Sequence, residues 1–240
     1  MIIDSHIHAG HGQGLTDSWN TFENIEVSLR RMDAAGIDKA VVLPIENLDY
    51  VRANRETAEI VQAHPDQLYG FAKVNQQRDR GRIKEMLDEA FGELGLRGLK
   101  IHGHPTREMM EVLREWRKPL LADVLGKVYP LRYVAEAYPD VPIIIAHMGQ
   151  YKSDAVAHLH TLWLAAQYPN IYFDTSSVLL HEWLERAVEE RLCHKMLFGS
   201  DGPDGHCGVE LARIRYLDLT PEEERAVLYE NAARLLGEDV

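Results

Sequence analysis

Ile2-Ile3-Asp4-Ser5-His6-Ile7-His8 is the stretch on which the fold turns. In an extended strand, side chains alternate between two faces. His6 and His8, two apart, therefore point the same way and can grip one ion. On a helix the same spacing would set them about 200° apart. Seven further stretches read as short strands: 39–44 (KAVVLP), 68–74 (LYGFAKV), 98–102 (GLKIH), 119–123 (PLLAD), 142–147 (PIIIAH), 170–175 (NIYFDT) and 196–201 (MLFGSD). Several are near-continuous apolar runs, the pattern of parallel strands buried on both faces.

Amphipathic stretches lie between them. Phe22, Ile25, Leu29 and Met32 mark a helix over 21–35 that Gly36 stops. Residues 81–94, 107–117, 129–137, 154–167 and 181–192 read the same way. The last helix begins with Thr220 as N-cap, Pro221 at the first helical position and Glu223 completing a capping box, and Gly237 follows it. Eight strands, each followed by a helical stretch, predict an α/β fold: a closed (β/α)8 TIM barrel, with 1–240 as one domain. An open doubly wound sheet has the same alternation and is the alternative. The irregular stretches 9–20, with three glycines, and 201–208 both follow strands, which places them on the catalytic face of a barrel.

The chain has 240 residues, 45% of them apolar, enough for one well-buried core. It lacks a run of about 18 apolar residues, and its start has neither a basic nor an apolar leader region, so we expect no membrane partner and no signal peptide. Cys193 and Cys207 are the only cysteines and form no CxxC pair, which points to a reducing cytoplasm rather than a disulfide scaffold. The formal charge of −12 is the opposite of what gripping phosphate backbones requires. We expect a small-molecule substrate, no nucleic-acid partner, and a homo-oligomer as an open option.

Three histidine pairs have the i, i+2 spacing. His158 and His160 fall in a helical run and read as surface or packing residues. His102 closes strand four, and His104 precedes Pro105 in a loop. Only His6 and His8 end a clear strand. Across the chain, polar residues collect at the C-terminal ends of apolar strands: His8, Lys100, His102, Asp123, His147 and Asp201. In a barrel these positions converge on one mouth. Grouping several ionisable side chains there is costly unless they pair or bind metal. Imidazole with carboxylate suits one divalent ion, zinc first, with manganese or iron next. A lone strand-end histidine such as His102 is more commonly a hydrogen-bonded core residue, and the Gly199-Ser200-Asp201 turn alone is an ordinary strand-to-loop turn.

Asp4-Ser5-His6-Ile7-His8, Gly98-Leu99-Lys100-Ile101-His102, Ile145-Ala146-His147-Met148-Gly149, Leu197-Phe198-Gly199-Ser200-Asp201-Gly202-Pro203 and Glu230-Asn231-Ala232-Ala233-Arg234-Leu235-Leu236 together resemble the amidohydrolase superfamily. The resemblance is closest to its amidohydrolase-related branch, which includes the aminocarboxymuconate-semialdehyde decarboxylases. It covers nearly the whole chain, in order. It implies a (β/α)8 barrel whose metal is held by the strand-one histidines, a strand-five histidine and the strand-eight aspartate, with the strand-six histidine catalytic. At strand five this chain departs: Asp123 stands where the family pattern has histidine. Asp123 is expected to reach the metal directly or through a water.

These readings predict a metal-dependent hydrolase acting on a C–N or C–O bond of a small carboxylated substrate. Asp201 would hold the metal and act as general base, and His147 would orient or protonate the oxygen on which charge develops. Lys100, Lys73, His102, His11 and His206 are expected to touch substrate, with salt bridges or solvent exposure as the plainer roles. A non-oxidative decarboxylase on the same ligand set is the alternative. A Lys100 carboxylated to bridge two metals, a non-catalytic ligand-binding relative and a nuclease are weaker readings.

Overall fold

The computed structural model describes residues 1–13 and 21–238. Eight parallel strands form the barrel: β1 (Ile3–Gly12), β2 (Lys39–Pro44), β3 (Leu68–Gly70 continuing as Ala72–Lys73), β4 (Leu99–His102), β5 (Leu120–Asp123), β6 (Ile143–Ile145), β7 (Ile171–Asp174) and β8 (Met196–Leu197). Each pairs in parallel with the next in sequence. The two halves of β3 join the sheet's two parts. Leu68–Gly70 pairs with β2 and Ala72–Lys73 with β4, and between them Phe71 N–H donates to Val42 C=O at 3.0 Å.

Closure comes at the other seam. Ser5 N–H donates to Phe198 C=O at 2.9 Å, Asp201 N–H to His6 C=O at 2.7 Å and His8 N–H to Gly202 C=O at 2.6 Å, with Ile7 and Gly202 bridged in parallel. No strand edge of the barrel is left open at this seam, as barrel closure requires. This excludes the open doubly wound sheet.

Helices cover the outside: α1 (Ile25–Ala35), α2 (Tyr50–Ala63), α3 (Ile83–Gly92), α4 (Arg107–Trp116), α5 (Leu131–Ala137), α6 (Ala155–Gln167), α7 (Glu182–Glu189) and α8 (Cys207–Arg215). A closing helix runs from Pro221 to Leu235 through a π turn at Ala226–Glu230. It starts as its sequence dictates. Glu223 N–H donates to the Thr220 hydroxyl, and Glu223 carboxylate accepts from Thr220 N–H at 2.9 Å. Buried Asn231 ties it to β8 by donating to Cys193 C=O at 2.8 Å and Met196 C=O at 2.9 Å.

The expected helix over 21–35 starts only at Ile25, because Asn24 caps it by accepting from Glu26 N–H. Thr21–Glu23 is a short strand antiparallel to Gly10–Gly12, and Phe22 lies exposed on His11 instead of in the core. Of the stretch 9–20, expected to be irregular, 9–12 continues β1, while 14–20 lies outside the described residues. Helices α2 and α8, absent from the sequence-based assignment, are capped by Asp49 and His206. Among the described residues, no helix is long and apolar enough to cross a membrane.

The barrel interior explains the site. Alternation sends Val41, Leu43, Tyr69, Phe71, Leu121, Ile144 and Leu197 inward, where they pack with Ala232, Ala233 and Leu236 of the closing helix, which plugs the N-terminal end. Continuing the same alternation upward brings Lys73 after Phe71, Asp123 after Leu121 and Asp174 after Tyr172 to the inner face near the mouth. In β1 a register shift between Asp4 and Ile7 changes the parity. Ile3 packs in the inner cluster and Ile7 in the outer one, so His6 and His8 also turn into the barrel. Bulges of this kind re-aim side chains beside active sites.

Candidate active site

His6 Nε2 and His8 Nε2 each lie 3.4 Å from Asp201 Oδ1, and all three residues are buried. For an ion about 2.1 Å from each ligand atom, tetrahedral ligands stand about 3.4 Å apart. Both contacts to Asp201 match that spacing, and the three residues form one of two clusters among the described residues able to hold a metal.

Asp174 fixes the chemistry of this cluster. Its Oδ2 receives His6 Nδ1–H at 2.8 Å, leaving the Nε2 lone pair facing Asp201. Its Oδ1 accepts from His147 N–H at 2.9 Å, Ser176 N–H at 3.1 Å and the Ser176 hydroxyl at 2.6 Å. Because that hydroxyl proton goes to Asp174, the Ser176 oxygen is free to accept His147 Nδ1–H at 2.8 Å. Asp174 thus sets the tautomers of His6 and His147 together, and both present an unprotonated Nε2 to the mouth. The second possible metal cluster, His6 with His147 and Asp174, is this hydrogen-bond network. Neither Asp174 nor Ser176 figures among the sequence-derived site residues. The signal was there: Asp174 closes β7 as Asp123 closes β5.

Backbone strain marks the same places. His147 has φ +56° and Asp201 φ +58°, left-handed conformations that a side-chain-bearing residue adopts at a cost and that concentrate at functional sites.

Burial dominates the electrostatics. It holds the His6 imidazole well below its ordinary pKa, with the Lys100 ammonium adding to the effect, and it lowers His8 too. Burial would raise the Asp201 carboxyl. The hydrogen bond from His8 and the nearby His6 and His147 outweigh it and hold Asp201 well below the carboxylate range. The Ser177 hydroxyl donates to Asp201 Oδ2 at 3.1 Å. Asp4, buried behind β1 and accepting from Ser200 N–H at 2.9 Å, is raised to about 7 by burial.

Lys73 and Lys100 are level in the β3–β4 register. Both are almost fully buried, yet their surroundings differ. Lys73 Nζ lies 2.8 Å from Glu46 Oε1, and burial brings its pKa down to about 8. Glu46 also contacts His102 Nδ1, and its Oε2 accepts from Tyr50 Oη at 2.5 Å. Glu46 too went unpredicted, because it sits beyond the end of β2. Lys100 has no carboxylate within 4.0 Å among the described residues. Its Nζ lies 3.3 Å from His6 Nε2.

Asp123, expected at the metal, is not in the His6–His8–Asp201 group. Its Oδ1 accepts from Leu125 N–H at 3.0 Å, and its Oδ2 lies 3.6 Å from His102 Nε2 and 3.9 Å from His147 Nε2. An aspartate is shorter than the histidine it replaces, and this one is turned toward its own loop. His102 stands at the mouth between Glu46 and Asp123. His11 lies on the rim, its ring on Phe22 and its Nδ1 on Glu56. His206 is apart from the mouth. It caps α8 by accepting from Gly208 N–H at 3.2 Å and faces a groove between α1 and α8, so it is not placed to touch substrate with the others.

With this geometry in hand, a family model described as amidohydrolase matches residues 126–237. The match spans the second half of the barrel, from the loop after β5 to the closing helix. A comparison with curated proteins finds no match. Among solved structures, the barrel superposes on 5-carboxyvanillate decarboxylase from Sphingomonas paucimobilis with a TM-score of 0.76 at 15% identity, covering 99% of each chain. Dihydroxybenzoic acid decarboxylase from Polaromonas sp. JS666, solved with bound manganese and an inhibitor, gives 0.76 at 18% identity over 98% of this chain and 96% of that one. A probable 2-pyrone-4,6-dicarboxylic acid hydrolase from Acinetobacter baumannii, with citric acid bound, gives 0.75 at 16% identity over 98% and 99%. At these identities the likeness establishes the shared fold.

Proposed function

We propose that this protein is an amidohydrolase-type, metal-dependent hydrolase that cleaves a C–N or C–O bond in a small, carboxylate-bearing substrate. One observation carries the reading: two imidazole nitrogens and an ionised carboxylate meet at metal-ligand spacing beside a buried ammonium, Lys100, that has no carboxylate partner among the described residues. His6, His8 and Asp201 would hold the ion, and their donor set favours zinc; manganese follows, as it is the metal named for the Polaromonas structure. When bound, such an ion supplies Lewis acidity and a water acidified toward neutrality.

The residues divide the remaining work. Lys73 is already paired with Glu46, so Lys100 is the cation left to take a substrate carboxylate, in a setting where desolvation strengthens the attraction. Asp201, held ionised, accepts the proton of the attacking water as general base. His147 presents an unprotonated Nε2 that orients the nucleophile or receives a proton. Asp174 and Ser176 keep that nitrogen aimed. Asp123 and His102 border the position where a leaving group would sit.

Non-oxidative decarboxylation is the second reading. It draws on Lys100 as a carboxylate partner and on the decarboxylases among the structural neighbours. Decarboxylation must deliver a proton to the carbon that loses CO2 and so needs Asp201 protonated, whereas the site holds it ionised, the form hydrolysis starts from. Hydrolysis is therefore preferred. A screen of lactones, amides and aromatic acids in 18O-labelled water decides between them. Hydrolysis puts the label in the product, whereas CO2 release from a good substrate without label uptake overturns the hydrolase reading.

A further inference from the structure

The opposite end of the barrel carries a second concentration of charge. Arg97 enters β4, Arg114, Arg117 and Lys118 end α4 and lead to β5, and Arg234 comes from the closing helix. Together with Asp140 they line a cavity of about 480 Å³. In a chain of net charge −12, five cations around one cavity run against the average.

Two of the five are committed. Arg114 Nε donates to Asp140 at 3.2 Å and its Nη2 to Ala137 C=O at 2.9 Å. Arg97 Nη1 donates to Leu236 C=O at 3.1 Å and lies 3.3 Å from Glu238 Oε1, with its guanidinium over the Tyr69 ring. Arg117, Lys118 and Arg234 form no ion pair among the described residues. Lys118 is half-buried, and its pKa is pushed down by burial and by the charge of Arg97.

Basic residues at helix C-termini favour the helix dipole, and Arg114, Arg117 and Arg234 each stand at one. The dipole does not account for Lys118, which lies beyond its helix, or for the gathering of two helix ends and Arg97 around one cavity. Arg117 also holds the left-handed position after α4, with φ +52°, where glycine is the usual residue. Repulsion among cations that have no partner among the described residues and a strained arginine are both costs. A bound anion would offset them, and arginine forks match phosphate and carboxylate oxygens.

We propose that this floor cavity is a binding site for a small polyanion, one bearing phosphate or clustered carboxylate groups, separate from the catalytic mouth. It lies at the N-terminal face of the barrel, which the catalytic groups leave free.

The test uses the whole protein with pyrophosphate and citrate as probes, each titrated against sodium chloride of equal ionic strength and followed by calorimetry and thermal melting. At least one probe should bind saturably and raise the melting temperature by roughly 5 °C at saturation. The better probe tells whether phosphate or carboxylate chemistry is preferred. The R117S/K118S variant, altered at two surface positions, should bind roughly 10- to 100-fold more weakly through loss of charged hydrogen bonds. Lys100→Met, altered only at the mouth, should bind as the parent does. Equal effects of probe and chloride overturn the proposal. So does binding lost in Lys100→Met but kept in R117S/K118S, which would put the anion in the mouth.

Discussion

His6 Nδ1 and Asp174 Oδ2 stand 2.8 Å apart, both fully shielded from solvent, on strands from opposite ends of the chain. The bond decides which imidazole nitrogen carries the proton and leaves Nε2 free to act as a ligand. In Asp174→Asn the side-chain amide can donate to Nδ1, which would shift the proton to Nε2, the wrong side. We expect zinc affinity to fall by about 10- to 100-fold, the loss typical when a ligand's supporting partner is removed, with the circular dichroism spectrum unchanged. Metal titration of the variant checks this, and parent-like affinity would contradict the assigned tautomer.

Lys100 separates binding from stability. A fully buried ammonium without a carboxylate partner is costly to the fold. Lys100→Met keeps the volume and removes the charge, so urea denaturation should show stability unchanged or raised by about 1 kcal/mol. Catalysis should suffer instead. KM for an acid substrate should rise by about 100-fold, while the corresponding ester or amide should show little change. A variant that loses stability and keeps KM would make Lys100 a structural residue.

The barrel was legible because its strands announced themselves as apolar runs, and most of them again by a polar residue at the end. Asp174 was readable by the same rule, yet it stands next to Thr175 and Ser176 in a stretch with no histidine to draw attention to it. Glu46 and Ser176 could not be read from periodicity, since both lie past a strand end, where the loop's path and not alternation decides which side chain returns to the mouth. Helix α2 was hidden by polar residues: Asn54 and Thr57 are buried, and Asn54 is held by hydrogen bonds to the Lys73 backbone at 2.8 and 3.1 Å. Asp123 shows the limit most clearly. Its strand position was right, and its side-chain direction depended on the Leu125 amide.

Buried neutral histidines should make the metal-free protein sensitive to acid. His102 is brought from 6.5 to about 4 by burial and by the Lys73 charge, and His6 and His8 are also lowered. A histidine with a depressed folded pKa leaves stability intact above about 6.5, and stability is lost as pH falls toward the folded value, because the unfolded chain takes up the proton first. Raised Asp4 acts in the opposite sense: its contribution is present at low pH and lost as pH rises through about 7. His158 is lowered as well, and Glu23, Asp204 and Glu210 are raised, as Asp4 is. Those last three carboxyls are less buried than the mouth histidines, so the net expectation is a decline in stability from pH 6.5 to pH 4.5. His102→Gln should flatten the decline by about 1 kcal/mol per pH unit, near one proton's worth after allowing for its partly solvated edge. Urea midpoints across this range measure the slope. An unchanged slope would mean that His102 is already a cation, paired with Glu46.

Asp123 provides the sharpest test of how this site differs from the family pattern. Its oxygens are directed to the Leu125 amide and toward His102 and His147, and it stands outside the three-residue metal group. Asp123→Ala should therefore change zinc affinity by less than about 10-fold, the lower bound for a supporting partner, whereas Asp201→Ala removes a direct ligand and should cost more than about 100-fold. Turnover is a separate matter. The Asp123 carboxylate is the negative charge facing His147 Nε2, and without it a protonated His147 loses stabilisation. We expect kcat to fall by about 10-fold or more with KM little changed, since general acid and base groups contribute at least that much. Asp123→His reverses the geometry: an imidazole is longer, and from the same inward strand position it can reach toward His6, His8 and Asp201 as a fourth ligand. Zinc should then bind more tightly in Asp123→His than in the parent, and its preference over manganese should grow as the donor set gains nitrogen. If Asp123→Ala instead loses metal as completely as Asp201→Ala, Asp123 is a ligand that swings away from its loop when the ion arrives.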